Sequence, residues 1–361
     1  MVKRIGVLTG GGDCPGLNAV LRAVVKTAMM KYKYEVIGFK DGYRGLVMND
    51  YIKFRSGDVS GILDKGGTIL GSSNRDNPFK FKVQVDGKEE YRDMSDVVIN
   101  NIALHGIDCM VLIGGDGTLT SARDFSRKGL KVVGVPKTID NDLFATDVTF
   151  GFMTAVDTAT EAIDKLHTTA ESHHRVMILE VMGRYAGWIA LESGIAGGAD
   201  VIIVPEIPYD INKVVEKIKE RKSQGKSFSI VVVAEGAKAK DGEMVISKVL
   251  KDSPDPIRLG GIGNKLADDI EKLSGIETRV TVLGHLQRGG RPSAYDRILS
   301  TRYGVAAVEL INQGKFGSMV ALQGDSITSV TLEEAVGKLK TVPTDSEIIN
   351  IAKSVGVSFG D

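Results

Sequence analysis

Short apolar runs rich in valine and isoleucine alternate along this chain with longer amphipathic stretches, and glycines lie between many of them. The runs lack polar alternation, which is typical of strands buried on both faces of a parallel sheet. The predicted strands are Arg4–Thr9, Glu35–Phe39, Cys109–Ile113, Lys131–Val135, Val176–Val181, Asp200–Val204, Ser229–Ala234 and Thr278–Leu283. The predicted helices are Gly16–Lys31, Ser95–His105, Thr118–Arg127, Thr154–Ala170, Tyr185–Ala196, Ile211–Gln224, Gly263–Ser274 and Ser293–Gln313. Repetition of strand, turn and helix predicts right-handed βαβ units.

The length of 361 residues corresponds to two domains of roughly 150 residues each. Together with the βαβ pattern, this predicts the α/β class, with two doubly wound, Rossmann-like three-layer domains. Ligands of such folds bind beyond the carboxyl ends of the strands, so functional residues are expected directly after the strands. In the tail, helices are expected at Thr331–Lys340 and Ser346–Ser354.

Composition excludes several classes of protein. Lysine plus arginine and aspartate plus glutamate number 46 each, so the net charge is zero and no nucleic-acid partner is predicted. Two cysteines, Cys14 and Cys109, are too few for a disulfide framework or a four-cysteine zinc site. The apolar runs are too short for a membrane span, so no membrane partner is predicted. The run Ile5-Gly6-Val7-Leu8 is too short for the core of a signal peptide, so a cytoplasmic location is expected.

Two glycine-rich turns each connect a predicted strand to a helix. The first, Thr9–Asn18, has consecutive glycines that let backbone N–H groups approach an anion beside a helix N-terminus. It has neither the Gly-Lys-Ser/Thr of a P-loop nor the dinucleotide fingerprint. The second, Gly114–Thr118, holds Asp116 among glycines, and a carboxylate beside a phosphate indicates an intervening Mg²⁺. The alternatives are a tight turn without a ligand at the first and a simple helix cap at Asp116.

The third turn, Pro136–Asp142, follows another predicted strand and places Lys137 and Thr138 just before two acids. One of these carboxylates, Asp140 or Asp142, can act as a general base while its neighbour orients a metal or a lysine. Such polar residues are also common in turns without a function. Three turns of this kind in one α/β unit favour a phosphate-binding site.

These motifs, in their order along the chain, resemble the phosphofructokinase family of the bacterial type, from Ile5 to about Leu310. Further motifs that match are His174-Arg175, Met182-Gly183-Arg184, Ala196-Gly197-Gly198, Glu235-Gly236 and Gly284–Gly290. The resemblance implies a kinase of glycolysis that transfers a phosphoryl group to the 1-hydroxyl of fructose 6-phosphate, with Mg²⁺ as cofactor. It also implies a phosphoryl-donor-binding domain of residues 1–150 plus about 287–330, and a sugar-phosphate-binding domain of residues 151–286 plus about 331–361. The active site is expected in the cleft between them.

The resemblance further implies roles for individual residues. Asp140 is expected to be the general base and Asp142 to support it, while Asp116 is the expected Mg²⁺ ligand. Phosphoryl transfer needs positioning and charge neutralisation, so no covalent nucleophile is required. The residues expected to act in catalysis are Asp140, Asp142, Thr138, Lys137, Gly11 and Arg184. The residues expected to bind the donor are Gly11, Arg75, Gly115, Asp116, Gly117 and Thr118.

The sugar phosphate requires cations of its own, because guanidinium groups bind phosphate in a bidentate fork. The expected substrate-binding residues are Thr138, Asp140, Arg175, Met182, Gly183, Arg184, Glu235, Arg279, His285 and Arg288. In the family, the residues matching Arg175 and Arg279 come from a neighbouring subunit, so a homo-oligomer, a tetramer or a dimer, is implied. The loop around Arg75 resembles the family's loop that bridges the donor and acceptor phosphates, with its arginine displaced by one residue.

Two positions bear on the phosphoryl donor, because the family includes users of ATP and users of pyrophosphate. Gly117 is of the ATP type, since an aspartate there would add bulk and charge where the α-phosphate of a nucleotide lies. Lys137 is of the pyrophosphate type, since it adds a cation near the transferring group without excluding ATP. Exclusion decides specificity more sharply than added attraction, so ATP is favoured. The reversible, pyrophosphate-dependent reaction stays the alternative, and the mixed pattern resembles the family's mixed-substrate subgroup.

Other functions remain open at this stage. A lipid or NAD kinase also carries a Gly-Gly-Asp-Gly-Thr turn, but it does not need Pro136–Asp142 or Gly284–Gly290. A non-catalytic sensor of sugar phosphate or nucleotide could lose Asp140 and Asp142 freely, whereas both are present. A nicotinamide dehydrogenase is disfavoured, because the fingerprint and its ribose-binding acid are missing.

Overall fold

The computed structural model describes residues 2–249 and 257–361. Its strands are β1 (Arg4–Thr9), β2 (Glu35–Phe39), β3 (Tyr51–Lys53), β4 (Phe81–Val85), β5 (Lys88–Arg92), β6 (Cys109–Gly114), β7 (Val132–Pro136), β8 (Val176–Val181), β9 (Val201–Ile203), β10 (Ser229–Ala234), β11 (Ile246–Val249), β12 (Ile257–Leu259), β13 (Thr278–Val282), β14 (Ser318–Gln323) and β15 (Ser326–Thr331). Its helices are α1 (Leu17–Lys26), α2 (Tyr43–Met48), α3 (Ser95–Leu104), α4 (Asp116–Arg127), α5 (Phe152–His173), α6 (Trp188–Ala196), α7 (Ile211–Ser223), α8 (Ile262–Ser274), α9 (Ala294–Asn312), α10 (Leu332–Ala335) and α11 (Glu347–Ser354). A π-helical turn, Thr27–Lys31, continues α1, and a 3₁₀ turn, Gly284–Arg288, follows β13.

The chain forms two compact units. Unit 1 comprises Met1–Ile139, Leu143–Met153 and Arg288–Lys338. Unit 2 comprises Asp140–Asp142, Thr154–Gln287 and Leu339–Asp361. The three residues of the third turn that carry the acids therefore belong to unit 2, although the residues on both sides of them belong to unit 1.

Unit 1 is built on a seven-stranded sheet in the order β15-β14-β7-β6-β1-β2-β3. The strands from β14 to β2 are parallel, and β15 and β3 pair antiparallel at the two edges. β6 and β7 are buried along their whole length, as expected for strands covered on both faces. In the register of the sheet, Thr9 lies opposite Ile113, and Gly114 lies opposite Pro136. The carboxyl ends of β1, β6 and β7 therefore lie side by side.

Unit 2 contains a four-stranded parallel sheet in the order β13-β8-β10-β9. Its core combines buried side chains of these strands with those of α7 and α8. A parallel bridge joins Val201 of β9 to Ser358, so the C-terminal segment extends the sheet by one short contact. β11 and β12 form a separate antiparallel pair.

The predicted α/β class with two doubly wound, mostly parallel sheets is confirmed. Every predicted strand is present, with ends that differ by no more than one residue. The sequence pattern did not predict β3, β4, β5, β11, β12, β14 or β15. β5 shows the reason, because its residues are exposed throughout and have the composition of a surface loop. Such strands form through pairing with a neighbour rather than through hydrophobic periodicity.

The expected tail helix Thr331–Lys340 is wrong beyond Ala335, where α10 ends. A capping box between Thr331 and Glu334 begins this helix, which ends because Val336 is extended (φ −115°, ψ 158°) and Gly337 is left-handed (φ 83°). The second expected tail helix is confirmed as α11. Within the two described ranges, no helix combines the length and the apolar character needed to cross a membrane.

Helices α1 and α9 of unit 1 pack closely at Gly304. A Cβ atom at this position would lie 2.6 Å from the Cβ of Ala23 and 2.8 Å from the carbonyl oxygen of Val20. Neither neighbour is the end of a flexible side chain, so neither can move away alone. The missing side chain therefore sets the separation of the two helices.

We expect Gly304→Ala to destabilise unit 1, because overpacking of a well-packed contact costs about 1–3 kcal/mol, more than the gain in helix propensity. The measurement is the midpoint of thermal unfolding. Gly57→Ala is the matched control, because a Cβ at Gly57 would have no atom within 4 Å. An unchanged midpoint for Gly304→Ala would show that the helices separate without cost.

Candidate active site

The first glycine turn leaves β1 at Thr9 and leads into α1. Gly11 has φ +80°, in the left-handed region that favours glycine. Its N–H donates to the carbonyl of Ser73 (2.9 Å), and its carbonyl accepts from the hydroxyl of Ser72 (2.6 Å). A Cβ at Gly11 would lie 3.2 Å from Nζ of Lys137. The turn is therefore held by the loop between β3 and β4 and lies directly beside a lysine.

Lys137 reaches this turn from the end of β7. The residue is only 4% exposed, and its Nζ donates to the carbonyl of Gly12. Its own N–H donates to the carbonyl of Gly114 (3.0 Å), at the end of β6. Burial of an ammonium is unfavourable unless oxygen atoms or anions stabilise it. A phosphate beside Gly11 would therefore meet a positive charge that is already in position.

The second turn joins β6 to α4, which begins at Asp116. Thr118 is buried and packs against Gly10, where a Cβ would lie 2.7 Å from Oγ1 of Thr118. Gly117, in contrast, is exposed, and a Cβ there would have no atom within 4 Å. The first turn of α4 therefore presents backbone N–H groups and open space. It begins at the end of β6, beside the end of β7 that Lys137 follows.

The predicted Mg²⁺ ligand is Asp116. Its half-exposed carboxylate accepts a hydrogen bond from the N–H of Gly337 (3.4 Å). Residues 2–249 and 257–361 contain no group of three or more His, Cys, Asp or Glu side chains that could hold a metal ion. In phosphoryl-transfer sites, Mg²⁺ is bound through one or two carboxylates and the substrate phosphates. A single carboxylate fits an ion that arrives with the donor.

Arg75 lies in the loop between β3 and β4. Asn18 of α1 holds the earlier part of this loop, since its Nδ2 donates to the carbonyl of Gly66 (3.1 Å) and its Oδ1 accepts from the N–H of Ile69 (2.8 Å). The N–H of Arg75 donates to Oγ of Ser73 (3.2 Å), and its side chain is exposed. Arg75, which is predicted to contact the phosphoryl donor, thus lies on the loop that contacts the first glycine turn.

Two more predicted residues, Thr138 and Arg288, lie in unit 1. The carbonyl of Thr138 accepts from Oγ1 of Thr149 (2.7 Å). Nη1 of Arg288 donates to the carbonyl of Asp13 (3.2 Å), and a Cβ at Gly12 would lie 2.6 Å from that nitrogen. Arg288, predicted to bind the sugar phosphate, therefore packs on the first glycine turn.

The acids of the third turn, Asp140 and Asp142, flank Asn141 and are both half-buried. Asn141 is 3% exposed and has φ 52°. Its Oδ1 accepts from Nζ of Lys340 (2.9 Å), and the carbonyl of Asp142 accepts from the N–H of Lys340 (2.8 Å). The conformation of this turn is thus held by a residue of the tail.

Within unit 2, several predicted acceptor residues follow the ends of β8, β10 and β13. Gly183 has φ 136°, and its carbonyl accepts from the N–H of Gly236 (3.1 Å), beside Glu235. The guanidinium of Arg184 lies over the ring of Tyr185, 5.0 Å from its centroid. The predicted residues that the structure brings to this edge are Met182, Gly183, Arg184, Glu235 and His285.

Arg175 and Arg279 lie toward the opposite edge of this sheet. Arg175 directly precedes β8, and Arg279 is the second residue of β13. Both bind Glu277, Arg175 through Nε at 2.8 Å, and these bonds hold the pKa of the Glu277 carboxyl below its usual value. A strand of six residues, such as β8, spans about 20 Å. Arg175 and Arg184 are therefore too far apart to contact one sugar phosphate within the same chain.

Two polar residues that support these turns were not among the predicted site residues. Gln287 is fully buried, its Oε1 accepts from the N–H of Met182 (2.8 Å), and its Nε2 has no hydrogen-bond partner among the residues that the structure describes. Its place within Gly284–Gly290 was a signal that could have identified it. Lys340 had no such signal, because it lies in the tail and outside every motif.

The comparisons with known proteins agree with this fold and these motifs. The phosphofructokinase family profile matches residues 4–311, and this chain belongs to that family. ATP-dependent 6-phosphofructokinase 2 of Clostridium perfringens (strain 13 / Type A) is 66% identical over 362 residues, which cover 100% of this chain and 99% of that protein. Pyrophosphate--fructose 6-phosphate 1-phosphotransferase of Streptomyces coelicolor is 52% identical over 358 residues, 99% of this chain and 100% of that protein.

Solved structures give the same result for the fold. A phosphofructokinase structure from Saccharomyces cerevisiae matches with a TM-score of 0.78 and 32% identity, over 92% of this chain and 44% of the solved chain. A pyrophosphate-dependent phosphofructokinase structure from Marinobacter aquaeolei matches with a TM-score of 0.80, over 99% of this chain and 88% of the solved chain. At 24% identity, the second match supports the fold alone.

We expect both cysteines to be unreactive in the folded protein. Burial raises the pKa of the Cys14 thiol, in the first glycine turn, to about 12, and that of Cys109 to about 12. The thiolate is the reactive form of cysteine. A chromogenic disulfide reagent at about pH 8 should therefore detect no reactive thiol in the native protein and two after denaturation. Detection of one reactive thiol in the native protein would contradict the burial of Cys14 or of Cys109.

Proposed function

We propose that this protein is a 6-phosphofructokinase that transfers a phosphoryl group from ATP to the 1-hydroxyl of fructose 6-phosphate, in the cytoplasm. The observation that carries the proposal is the buried Lys137 ammonium on the carbonyl of Gly12, where three turns leave neighbouring strands. The family match over residues 4–311 supports it, as do relatives named ATP-dependent 6-phosphofructokinase.

The donor binds to unit 1 in this proposal. Backbone N–H groups at the beginning of α1 and α4 bind its phosphates, and Lys137 neutralises charge beside them. Asp116 would hold Mg²⁺ together with the donor phosphates, and the ion would reduce the charge on the transferring group when bound. The proposed donor-binding residues are Gly11, Arg75, Gly115, Asp116, Gly117 and Thr118.

The transfer is a single displacement. The 1-hydroxyl oxygen attacks the γ-phosphorus, Asp140 accepts the hydroxyl proton, and the bond to the β–γ bridging oxygen breaks so that ADP leaves. Asp142 supports Asp140 by holding the backbone of the turn and the Asp140 carboxylate in place. The transferring group meets positive charge and hydrogen-bond donors from Lys137, Thr138 and Arg184, which stabilise the charge that develops in the transition state.

The acceptor binds to residues at the carboxyl edge of the unit 2 sheet. Arg184 supplies a cation for the sugar phosphate, and His285 supplies a hydrogen-bond donor. Glu235 accepts hydrogen bonds from the sugar hydroxyls. Met182 and Gly183 line the sugar. Arg288 is the further guanidinium that the family motif assigns to the sugar phosphate.

The position of Arg175 supports a shared site. Arg175 and Arg279 lie toward the other edge of the same sheet, away from the acceptor residues of their own chain, so they can serve the sugar phosphate of a neighbouring subunit. We therefore propose a homo-oligomer, a tetramer or a dimer, in which each chain completes the acceptor site of another.

Pyrophosphate is the second candidate donor. The buried cation at Lys137 and the Streptomyces coelicolor relative favour it. The open space beside Gly117 favours ATP, because a nucleotide needs room that pyrophosphate does not. Because pyrophosphate does not need this space, the open space beside Gly117 supports ATP as the main donor.

The experiment is formation of fructose 1,6-bisphosphate from fructose 6-phosphate and Mg²⁺, with ATP and pyrophosphate compared side by side. A kcat/KM at least about tenfold higher with ATP supports the proposal. The reverse ratio supports the pyrophosphate-dependent, reversible reaction. Turnover with neither donor, together with binding of either ligand by calorimetry, would instead support a non-catalytic sensor.

We expect Gly117→Asp to lower kcat/KM for ATP by about a hundredfold while pyrophosphate use changes little, because a like charge beside the nucleotide costs several kcal/mol. The variant should fold, since a Cβ at Gly117 meets no atom within 4 Å. Gly117→Ala is the matched control for bulk without charge. Unchanged kinetics with ATP in Gly117→Asp would refute the assignment of Gly117 to the nucleotide.

We expect Asp140→Ser to lower kcat by about 10²–10⁴-fold, because it removes the proposed general base. When Asp140→Ser is mixed and co-refolded with Arg175→Ala, activity should return to about one quarter of the wild-type level. In a random assembly, about one site in four combines an intact Asp140 from one chain with an intact Arg175 from its neighbour. Asp140→Ser mixed with Asp140→Asn is the control that should regain nothing. Failure of the first mixture to regain activity would remove Arg175 from a shared site.

A further inference from the structure

Lys340 lies in the irregular segment that follows α10, and three hydrogen bonds hold its position. Its Nζ donates to Oδ1 of Asn141 (2.9 Å), and its N–H donates to the carbonyl of Asp142 (2.8 Å). Its carbonyl accepts from Nε1 of Trp188 (3.0 Å) at the beginning of α6. All of these residues belong to unit 2. The tail thus connects a helix terminus to the turn that carries the proposed base.

Asn141 is the residue of this turn that most needs support. It is a non-glycine residue at φ 52°, in the left-handed region, and it is 3% exposed. Asparagine adopts this conformation more readily than most residues, yet the buried side-chain amide still requires partners. The Lys340 ammonium supplies one of them, as a charge-assisted hydrogen bond. The backbone on both sides of Asn141 carries the carboxylates of Asp140 and Asp142.

The surroundings of Lys340 restrict its movement. Its Nζ lies 5.6 Å from the centroid of the Trp188 ring. Burial raises the pKa of the Glu192 carboxyl on α6, and the nearby positive charge of Lys340 acts in the opposite direction. Two residues further along, the N–H of Val342 donates to Oε1 of Glu206 (2.8 Å), which also accepts from Gly187. The lysine is therefore part of a segment that is also held two residues further along, at Val342.

We propose that Lys340 is a positioning residue for the phosphoryl-transfer reaction. It holds Asn141 and the Asp142 carbonyl, and through them it sets the direction of the Asp140 carboxylate. The inference rests on the proposed function, in which Asp140 accepts the hydroxyl proton. A general base must stay within hydrogen-bond distance of that proton, and displacement by about 1 Å costs on the order of a hundredfold in rate. Lys340 acts on turnover and not on substrate binding.

The first test is Lys340→Met, which keeps the length and apolar stem of the side chain and removes the ammonium. The expected result is a kcat lowered by about ten- to a hundredfold, with KM for fructose 6-phosphate and for the donor within about twofold of wild type. Lys353→Met is the matched control, since Lys353 lies in the same tail and pairs with Asp361 (2.5 Å). It should leave both parameters unchanged.

A spectroscopic readout reports directly on the segment. Trp188 is the only tryptophan of the chain, and it both donates to the Lys340 carbonyl and lies beneath its ammonium. Lys340→Met should therefore shift the tryptophan emission, whereas Lys353→Met should not. A kcat equal to wild type in Lys340→Met, with the emission shifted, would overturn the inference. A KM raised with kcat unchanged would also overturn it, because Lys340 would then bind substrate.

The second test is a double-mutant cycle with Asn141→Gly, which tolerates the left-handed conformation but lacks the Oδ1 acceptor. If Lys340 acts through Asn141, each single variant lowers kcat and the double variant lowers it no further. Multiplicative losses would overturn this route. Asn141→Gly also serves alone if Lys340→Met does not fold, and a wild-type kcat for it would overturn the inference.

The failure of the inference and the failure of the proposed function are distinguishable. If Asp140→Ser retains wild-type turnover, the proposed function of the turn fails. If Asp140→Ser is inactive while Lys340→Met and Asn141→Gly turn over as the wild type does, the inference about Lys340 alone fails.

Discussion

Parallel pairing of β1, β6 and β7 is the constraint on which the donor side of the candidate site depends. Parallel strands end at one edge of a sheet, and the register places Gly114 opposite Pro136 and Thr9 opposite Ile113. Turns that are distant in sequence therefore leave the sheet side by side. The bond from Lys137 to Gly12 joins residues 125 positions apart. Gly11 leaves room for the lysine, because a Cβ there would lie 3.2 Å from its Nζ.

The buried ammonium gives this edge its chemical character. Transfer of a charge out of water is unfavourable, and carbonyl oxygens offset only part of that cost. The cost is met when the chain folds, so the charge is already oriented when an anionic donor arrives. This is the physical reason that a phosphate fits here better than a neutral ligand. In the proposed function, the open space at Gly117 leaves room for the rest of a nucleotide donor.

In the proposed function, the sheet of unit 2 applies the same principle to the acceptor, and it also separates two groups of residues. Its carboxyl edge holds Arg184 and Glu235, while Arg175 precedes the first residue of β8. The buried Glu180 carboxylate accepts from the N–H of Gly263 (2.8 Å), which ties the beginning of α8 to β8. The length of a strand thus determines which arginines can serve a ligand in their own chain and which are directed elsewhere.

Local sequence by itself determined eight parallel strands of the two sheets and the order of the turns that follow them, and it singled out the candidate site residues. Strands buried on both faces must be apolar, and tight turns beside a phosphate need glycine, so both leave a readable pattern. Only the tertiary structure decided that Arg288 packs on the first glycine turn, that β5 forms a hairpin with β4, and that Lys340 supports Asn141. These contacts join residues far apart in sequence and depend on the register of strands and the end of a short helix. A lysine in a polar tail has no local pattern that reveals its partner, because pairing is a property of the folded chain.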